Sequence, residues 1–158
     1  MTLAGLLAEH ESWLAAERGL SANTLVAYRR DLAGYARFLA SHGVDEVAGV
    51  GPETVAAYVA HLKAARSGDG RARLAPASVA RALVAVRSFH GFCVDEGHAS
   101  TDPSEDVGAP RVAQGIPKAL TPAEVEALLA AVTGSSTAAL RDRAILEVLY
   151  GTGLRISE

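Results

Sequence analysis

Residues 21–43 read SANTLVAYRRDLAGYARFLASHG. Leu25, Tyr28, Leu32, Tyr35 and Leu39 recur at steps of three and four residues, which places them on one face of a helix of about five turns. Ser21 or Asn23 can cap its start through a side-chain oxygen, and Gly43 can supply the left-handed residue that stops it. Arg29, Arg30 and Arg37 fall off the apolar stripe. Arg30 and Arg37 project on nearly the same side, with Arg29 close to them. One apolar face and one basic face predict a helix that packs on other helices while presenting positive charge.

The neighbouring segments supply those partners. Leu3, Leu6, Leu7, Trp13 and Leu14 predict a first amphipathic helix ending near Gly19. A third opens at Pro52, a favourable first-turn position, with Val55, Tyr58, Val59 and Leu62 inward. SGDGRARLAP at 67–76 reads as an exposed loop, and a fourth helix begins near Pro76 or Ala77. Val79, Leu83, Val86, Phe89 and Cys93 face inward on it, whereas Arg81 and Arg87 lie away from that stripe. Four helices with short connections make a compact α domain over residues 1–100. The Pro-, Gly- and polar-rich stretch 101–118 reads as an interdomain linker, and a second unit spans 119–158. It opens with Thr121, Pro122 and Glu124, an N-cap, first-turn proline and reciprocal capping carboxylate. Val125, Leu128, Leu129 and Val132 form its first buried face. A further helix over about 140–150 turns Ala144, Ile145, Val148 and Leu149 inward. No alternating strand and no internal repeat is visible, so the chain reads as all-α.

Composition narrows the function classes. Apolar residues make up 49% and charged residues 21% of 158, the balance of a folded chain rather than a disordered one. No run of 18 uninterrupted apolar residues occurs, which argues against membrane insertion. The N-terminal MTLAGLLAEHESW lacks the basic region of a signal peptide. The single cysteine, Cys93, excludes an internal disulfide framework, suits a reducing cytoplasm and reads as a packing residue. Net charge is −3, yet its distribution is uneven. From Arg18 to Arg87 ten basic residues face five acids, an excess of five; from Asp95 to Asp106 there are five acids and no Lys or Arg. A basic first region followed by an acidic joint suits a polyanionic partner. The alternatives are a solvated basic face, a small helical DNA-binding regulator, or a protein-interaction module.

The chain closes with RDRAILEVLYGTGLRISE, residues 141–158. Gly151-Thr152-Gly153 ends one helix, and Leu154 to Glu158 is expected to begin another, with Leu154 and Ile156 as core residues bracketing Arg155. An arginine so placed either pairs with an acid or caps the preceding helix, or presents two N–H donors to one phosphate. Two short helices bury too little for an independent core, so the sequence reads as the opening portion of a longer chain.

Four stretches carry a resemblance, in this order: LSANTLVAYRRDL (20–32), SVARALVAVRSFH (78–90), Asp102-Pro103 with IPKALT (116–121), and YGTGLRISE (150–158). Together they resemble the N-terminal half of a tyrosine recombinase of the lambda-integrase-like family, most closely the bacterial Xer recombinases that resolve chromosome dimers. The last motif is the most specific; the first two also occur in phage and transposon integrases. The resemblance implies a four-helix SAM-like core-binding domain, then the first helices of a mixed, mainly helical catalytic domain. It implies that Arg155 is the first active-site arginine and that the tyrosine nucleophile and the other catalytic residues come later. Tyr28, Tyr35, Tyr58 and Tyr150 are read as packing residues, not nucleophiles. The implied chemistry is strand exchange through a 3′-phosphotyrosyl link, with no metal and no cofactor. The implied setting is the cytoplasm, at the nucleoid, on a double-stranded recombination site. Partner protomers would complete a tetramer on DNA, with a DNA translocase as a further partner. Arg29, Arg30, Arg37, Arg73, Arg81 and Arg87 are the candidate DNA contacts, on charge and placement.

Overall fold

The computed structural model of the chain describes residues 2–112 and 119–156. The described residues form six α-helices: α1 (Leu3–Ala16), α2 (Ala22–Ser41), α3 (Pro52–Ala64), α4 (Pro76–Asp95), α5 (Pro122–Ala131) and α6 (Thr137–Thr152). A single 3-10 turn lies at Val47–Gly49, and the only β feature among them is one antiparallel bridge between Arg66 and Ala72. The chain divides into two compact units, Met1–Ala113 and Gln114–Glu158.

In the first unit the helix boundaries follow local chemistry. The Ser21 side chain accepts the Thr24 N–H at 3.3 Å, which starts α2. Its end is set by Gly43 at φ +71°, where the Gly43 N–H reaches Ala40 O and the Val44 N–H reaches Leu39 O. Pro52 and Pro76 both occupy first turns. α2 buries Leu32, Tyr35 and Leu39 from the expected stripe and Phe38 beside it, while Leu25 and Tyr28 are half-buried.

α4 packs against α1, α2 and α3 and is the centre of the unit. It is long and apolar enough to cross a membrane on length and composition alone. Its apolar residues are instead turned into this bundle: Val79, Leu83, Val86, Phe89, Phe92 and Cys93 are all buried. Burial in apolar surroundings pushes the Cys93 thiol up to about 12, so it stays protonated and packs as a small apolar group.

The segment after α4 is tied to the same unit. Val107 joins the core, and Ser104 is fully buried with its N–H and Oγ–H both donating to Asp102 Oδ1, at 2.7 and 2.6 Å. Arg87 donates to Ser104 O at 3.4 Å and Val107 O at 2.7 Å. The expected linker from 101 is therefore packed onto the first unit at least as far as Val107, because an apolar residue within it fills the core. Its remainder at 113–118, including Ile116-Pro117-Lys118, lies outside the described residues.

In the second unit the capping box forms as expected. Thr121 Oγ1 accepts from the Glu124 N–H while Glu124 Oε2 accepts from the Thr121 N–H. The Thr121 N–H and hydroxyl, both donating to Glu124 Oε2, hold that carboxyl below its usual range. Val125 is buried, but α6 buries no residue. Leu146 and Leu149 are half-buried, whereas Ala144, Ile145, Val148 and Leu128 are exposed, contrary to the inward packing expected of them. Two helices share one seam, which can cover only the residues that face it.

Candidate nucleic-acid interface

The first unit carries a groove of about 680 Å³ bordered by α2, α3, α4 and the loop before α4. Arg30, Arg37, Arg73 and Arg81 line it, together with Asp31, His42, His61 and Ser78. α2 supplies Arg30 and Arg37 from the face opposite its buried stripe. Arg73 is brought in by the loop, where the Arg73 N–H donates to Ala65 O at 2.9 Å and the loop turns at Gly70. Arg81 stands on α4 and grips Asp31 with two bonds, Nε to Oδ2 at 2.9 Å and Nη2 to Oδ1 at 3.2 Å. This contact raises the Arg81 pKa further, so its charge is permanent. Arg30 Nε lies 3.8 Å from the same carboxylate.

Two aromatic side chains among the lining residues are closely fitted. Phe38 and Tyr58 pack at 5.3 Å between ring centroids, and Tyr58 donates its phenolic hydrogen to Asp31 O at 3.3 Å. Burial, with the Asp31 charge as a lesser cause, pushes the Tyr58 phenol up to about 12, so it remains a neutral donor. Gly34 eases the approach of α2 to α3 here, since a Cβ on it would sit 3.2 Å from Tyr58 Oη, a tight contact that a shift of a few tenths of an ångström in Tyr58 relieves.

Four of the six arginines expected to meet DNA thus share one groove. Arg29 instead faces α1, where its Nε donates to both Glu11 oxygens at 3.0 Å and its Nη2 also donates to Oε1. That pairing lowers the Glu11 pKa. Arg87 is half-buried beneath the segment that follows α4 and acts there as a tie to two backbone carbonyls. Sequence periodicity separates charged residues from the core but cannot say which element each charge will meet.

Three residues of consequence were missed by that reading. Asp31 is the carboxylate in the groove that meets Arg81 and Arg30, and its adjacency to the Arg29-Arg30 pair was the available signal. His10 and His90 are fully buried, and each continues a stripe of its helix: Leu3, Leu7, His10 and Leu14 on α1, and Val79, Leu83, Val86 and His90 on α4. His10 Nε2 pairs with Ser88 Oγ at 3.0 Å, and His90 Nε2 pairs with Tyr35 Oη at 3.0 Å. Neither Nδ1 has a hydrogen-bond partner among the described residues. Burial lowers both imidazoles to about 4, so both rings are neutral near pH 7.

In the second unit Gly153 closes α6 at φ +67°, its N–H donating to Leu149 O at 3.0 Å. Thr152 Oγ1 donates to Val148 O at 2.6 Å and accepts from the Leu154 N–H at 3.4 Å. Arg155 follows in non-helical backbone, exposed, just beyond the negative end of the helix dipole. Leu154 is 46% exposed and Ile156 91%, so the expected apolar bracket around Arg155 is not formed. The glycine and the Thr152 hydroxyl fix this turn instead. No helix begins at 154–156, and Ser157 and Glu158 lie outside the described residues. Tyr35 and Tyr58 are buried and Tyr28 half-buried, as packing residues should be, but Tyr150 is 62% exposed.

Comparison with known proteins adds a separate line. Residues 7–97 match the family described as phage integrase, N-terminal SAM-like domain, and residues 118–158 match the phage integrase family. Tyrosine recombinase XerD of Mycobacterium leprae (strain TN) is 43% identical, the match covering 100% of this chain and 52% of that protein. Tyrosine recombinase XerD of Corynebacterium glutamicum is also 43% identical, over 92% of this chain and 48% of that one. Tyrosine recombinase XerC of Herpetosiphon aurantiacus is 36% identical, over 93% and 46%. The chain spans about half the length of the curated relatives it matches.

Proposed function

The chain belongs to the phage integrase family, and on that premise we propose that it is the DNA-binding N-terminal portion of a site-specific tyrosine recombinase. The observation that carries the reading is the arginine-lined groove. It lies in the unit that matches the SAM-like domain, upstream of a Gly-Thr-Gly-Leu-Arg turn in the segment that matches the integrase family. In this reading the first unit grips the duplex backbone through Arg30, Arg37, Arg73 and Arg81, a sequence-independent hold that weakens steeply with salt.

The whole protein would exchange strands at a double-stranded recombination site. A tyrosine supplied from beyond these residues gives up its phenolic proton and attacks the scissile phosphorus through its oxygen. The 5′-oxygen leaves and takes up a proton, and a 3′-phosphotyrosyl bond forms. The bond energy is kept, so the partner strand's 5′-hydroxyl reverses the step and releases the tyrosine. Arg155 has the role of a fixed donor to the charge that builds on the phosphoryl oxygens. The relatives' names, tyrosine recombinases XerD and XerC, favour resolution of chromosome dimers; a cytoplasmic setting, a tetramer of protomers on nucleoid DNA and a translocase partner belong to the same reading through the family resemblance alone. The family descriptions themselves favour a second reading, a phage integrase with the same chemistry, and the resemblance extends that alternative to transposon integrases.

The test uses a protein of the relatives' full length with Arg155→Ala. Removing one preorganised donor costs roughly 3 kcal/mol of transition-state stabilisation, about a hundredfold in rate. Cleavage of a nicked suicide substrate is expected to fall by at least that factor while binding to the same duplex is nearly unchanged. Cleavage at the wild-type rate would overturn the role given to Arg155.

A further inference from the structure

We propose that Asp31 is a built-in competitor for DNA phosphate: it orients Arg81 in the groove while cancelling part of the groove's positive charge, and so limits association with DNA of arbitrary sequence. The inference rests on the groove being the face that meets DNA. Asp31 is fixed in place, its side chain only 10% exposed, while its partners Arg81 and Arg30 remain 42% and 70% exposed. The carboxylate therefore sits beneath two cations that reach outward past it.

The Arg81 guanidinium carries its N–H groups in one rigid plane, and the two bonds to Asp31 use Nε and Nη2 on one edge. That fork holds the plane of the guanidinium, and its remaining donors diverge from the carboxylate. A phosphate has two ways to reach Arg81. It can displace Asp31 from the occupied edge, since both anions present paired oxygens to the same fork. It can also take the remaining donors while repelled by the carboxylate behind them. In either case Asp31 opposes the phosphate whatever the base sequence, and leaves contacts to base edges untouched. An uncharged residue at 31 would raise the general hold on DNA and erode discrimination between sequences.

Asp31→Asn keeps the shape and one oxygen acceptor and removes the charge; Asp31→Ala removes both. Binding is read by fluorescence anisotropy on a labelled duplex of about 30 base pairs of arbitrary sequence, over a series of salt concentrations. Asp31→Asn is expected to tighten binding about three- to tenfold at low salt and to steepen the dependence of affinity on salt. In an Arg81→Ala background most of that gain should vanish, a coupling that a purely structural role for Asp31 would not produce. Arg37→Ala and Arg73→Ala test the groove itself and are expected to weaken binding. If they do so while neither folded Asp31 variant tightens it, the inference is overturned and the groove reading stands. Failure of both arginine substitutions to weaken binding would remove the groove as the DNA face and the inference with it.

Discussion

At the scale of single residues, the buried imidazoles show how position decides chemistry. His10 lies among Trp13, Phe89 and Phe92, with ring centroids at 6.0, 5.7 and 5.3 Å, and His90 meets Tyr35 edge-on at 5.8 Å. Both fall from the ordinary 6.5 to about 4 because the charged form loses its water. Between those values the unfolded chain holds protons that the folded chain does not. Stability is therefore full above about pH 6.5 and declines as pH falls towards 4. Each histidine contributes a loss on the order of 2 kcal/mol across that window. Urea unfolding is expected to show a clearly lower midpoint at about pH 5 than at about pH 7, and His10→Gln with His90→Gln should flatten the difference. Equal midpoints for the wild-type chain at the two pH values would contradict the assignment of two neutral buried rings. The apolar stripes on α1 and α4 announced that positions 10 and 90 face inward. Which hydroxyl would meet each ring was not legible, because Ser88 and Tyr35 lie 78 and 55 residues away from their partners.

At the scale of elements, local chemistry was the most readable part of the chain. Ser21, Thr121, Pro52 and Pro76 start helices for reasons confined to a few neighbouring backbone groups. The pairing of elements depends on surfaces, and the crossing of α2 on α3 is an instance. Gly34 gives Tyr58 room to reach Asp31 O, which holds that lining residue of the groove in place. Gly34→Ala gains up to about 1 kcal/mol in helix propensity and needs only a slight shift of Tyr58, so it should be nearly neutral. Gly34→Val adds bulk where space is lacking and should cost about 1–3 kcal/mol and loosen the groove. Chemical denaturation of the two variants measures the contrast; equal stability of Gly34→Val and wild type would mean that the approach at this crossing is not tight. Arg87 also belongs to this scale. Its charge reads as a surface feature, yet it holds two carbonyls of the segment that follows α4.

For the molecule as a whole, the two units differ in what they bury. The first has a continuous core built around α4, whereas α6 has no buried residue and Ile145, Val148 and Tyr150 are exposed. Hydrogen exchange should follow that difference. Amides in the middle of α4 are expected to exchange only through global unfolding, and those of α6 at least about a thousandfold faster. Comparable protection in α4 and α6 would show that the second unit has cooperative stability of its own. By itself the sequence determined the all-α class, the caps, the inward stripes of α1 to α4 and the order of the family's motifs. These follow from period, local hydrogen bonding and residue type, which a linear chain already contains. Only the tertiary structure decided that Arg30, Arg37, Arg73 and Arg81 line one groove while Arg29 and Arg87 serve other elements, that Asp31 stands among those four, and that the residues flanking Arg155 are exposed. Those outcomes depend on which helix faces meet and how much area each pair can cover, and no single helix encodes that.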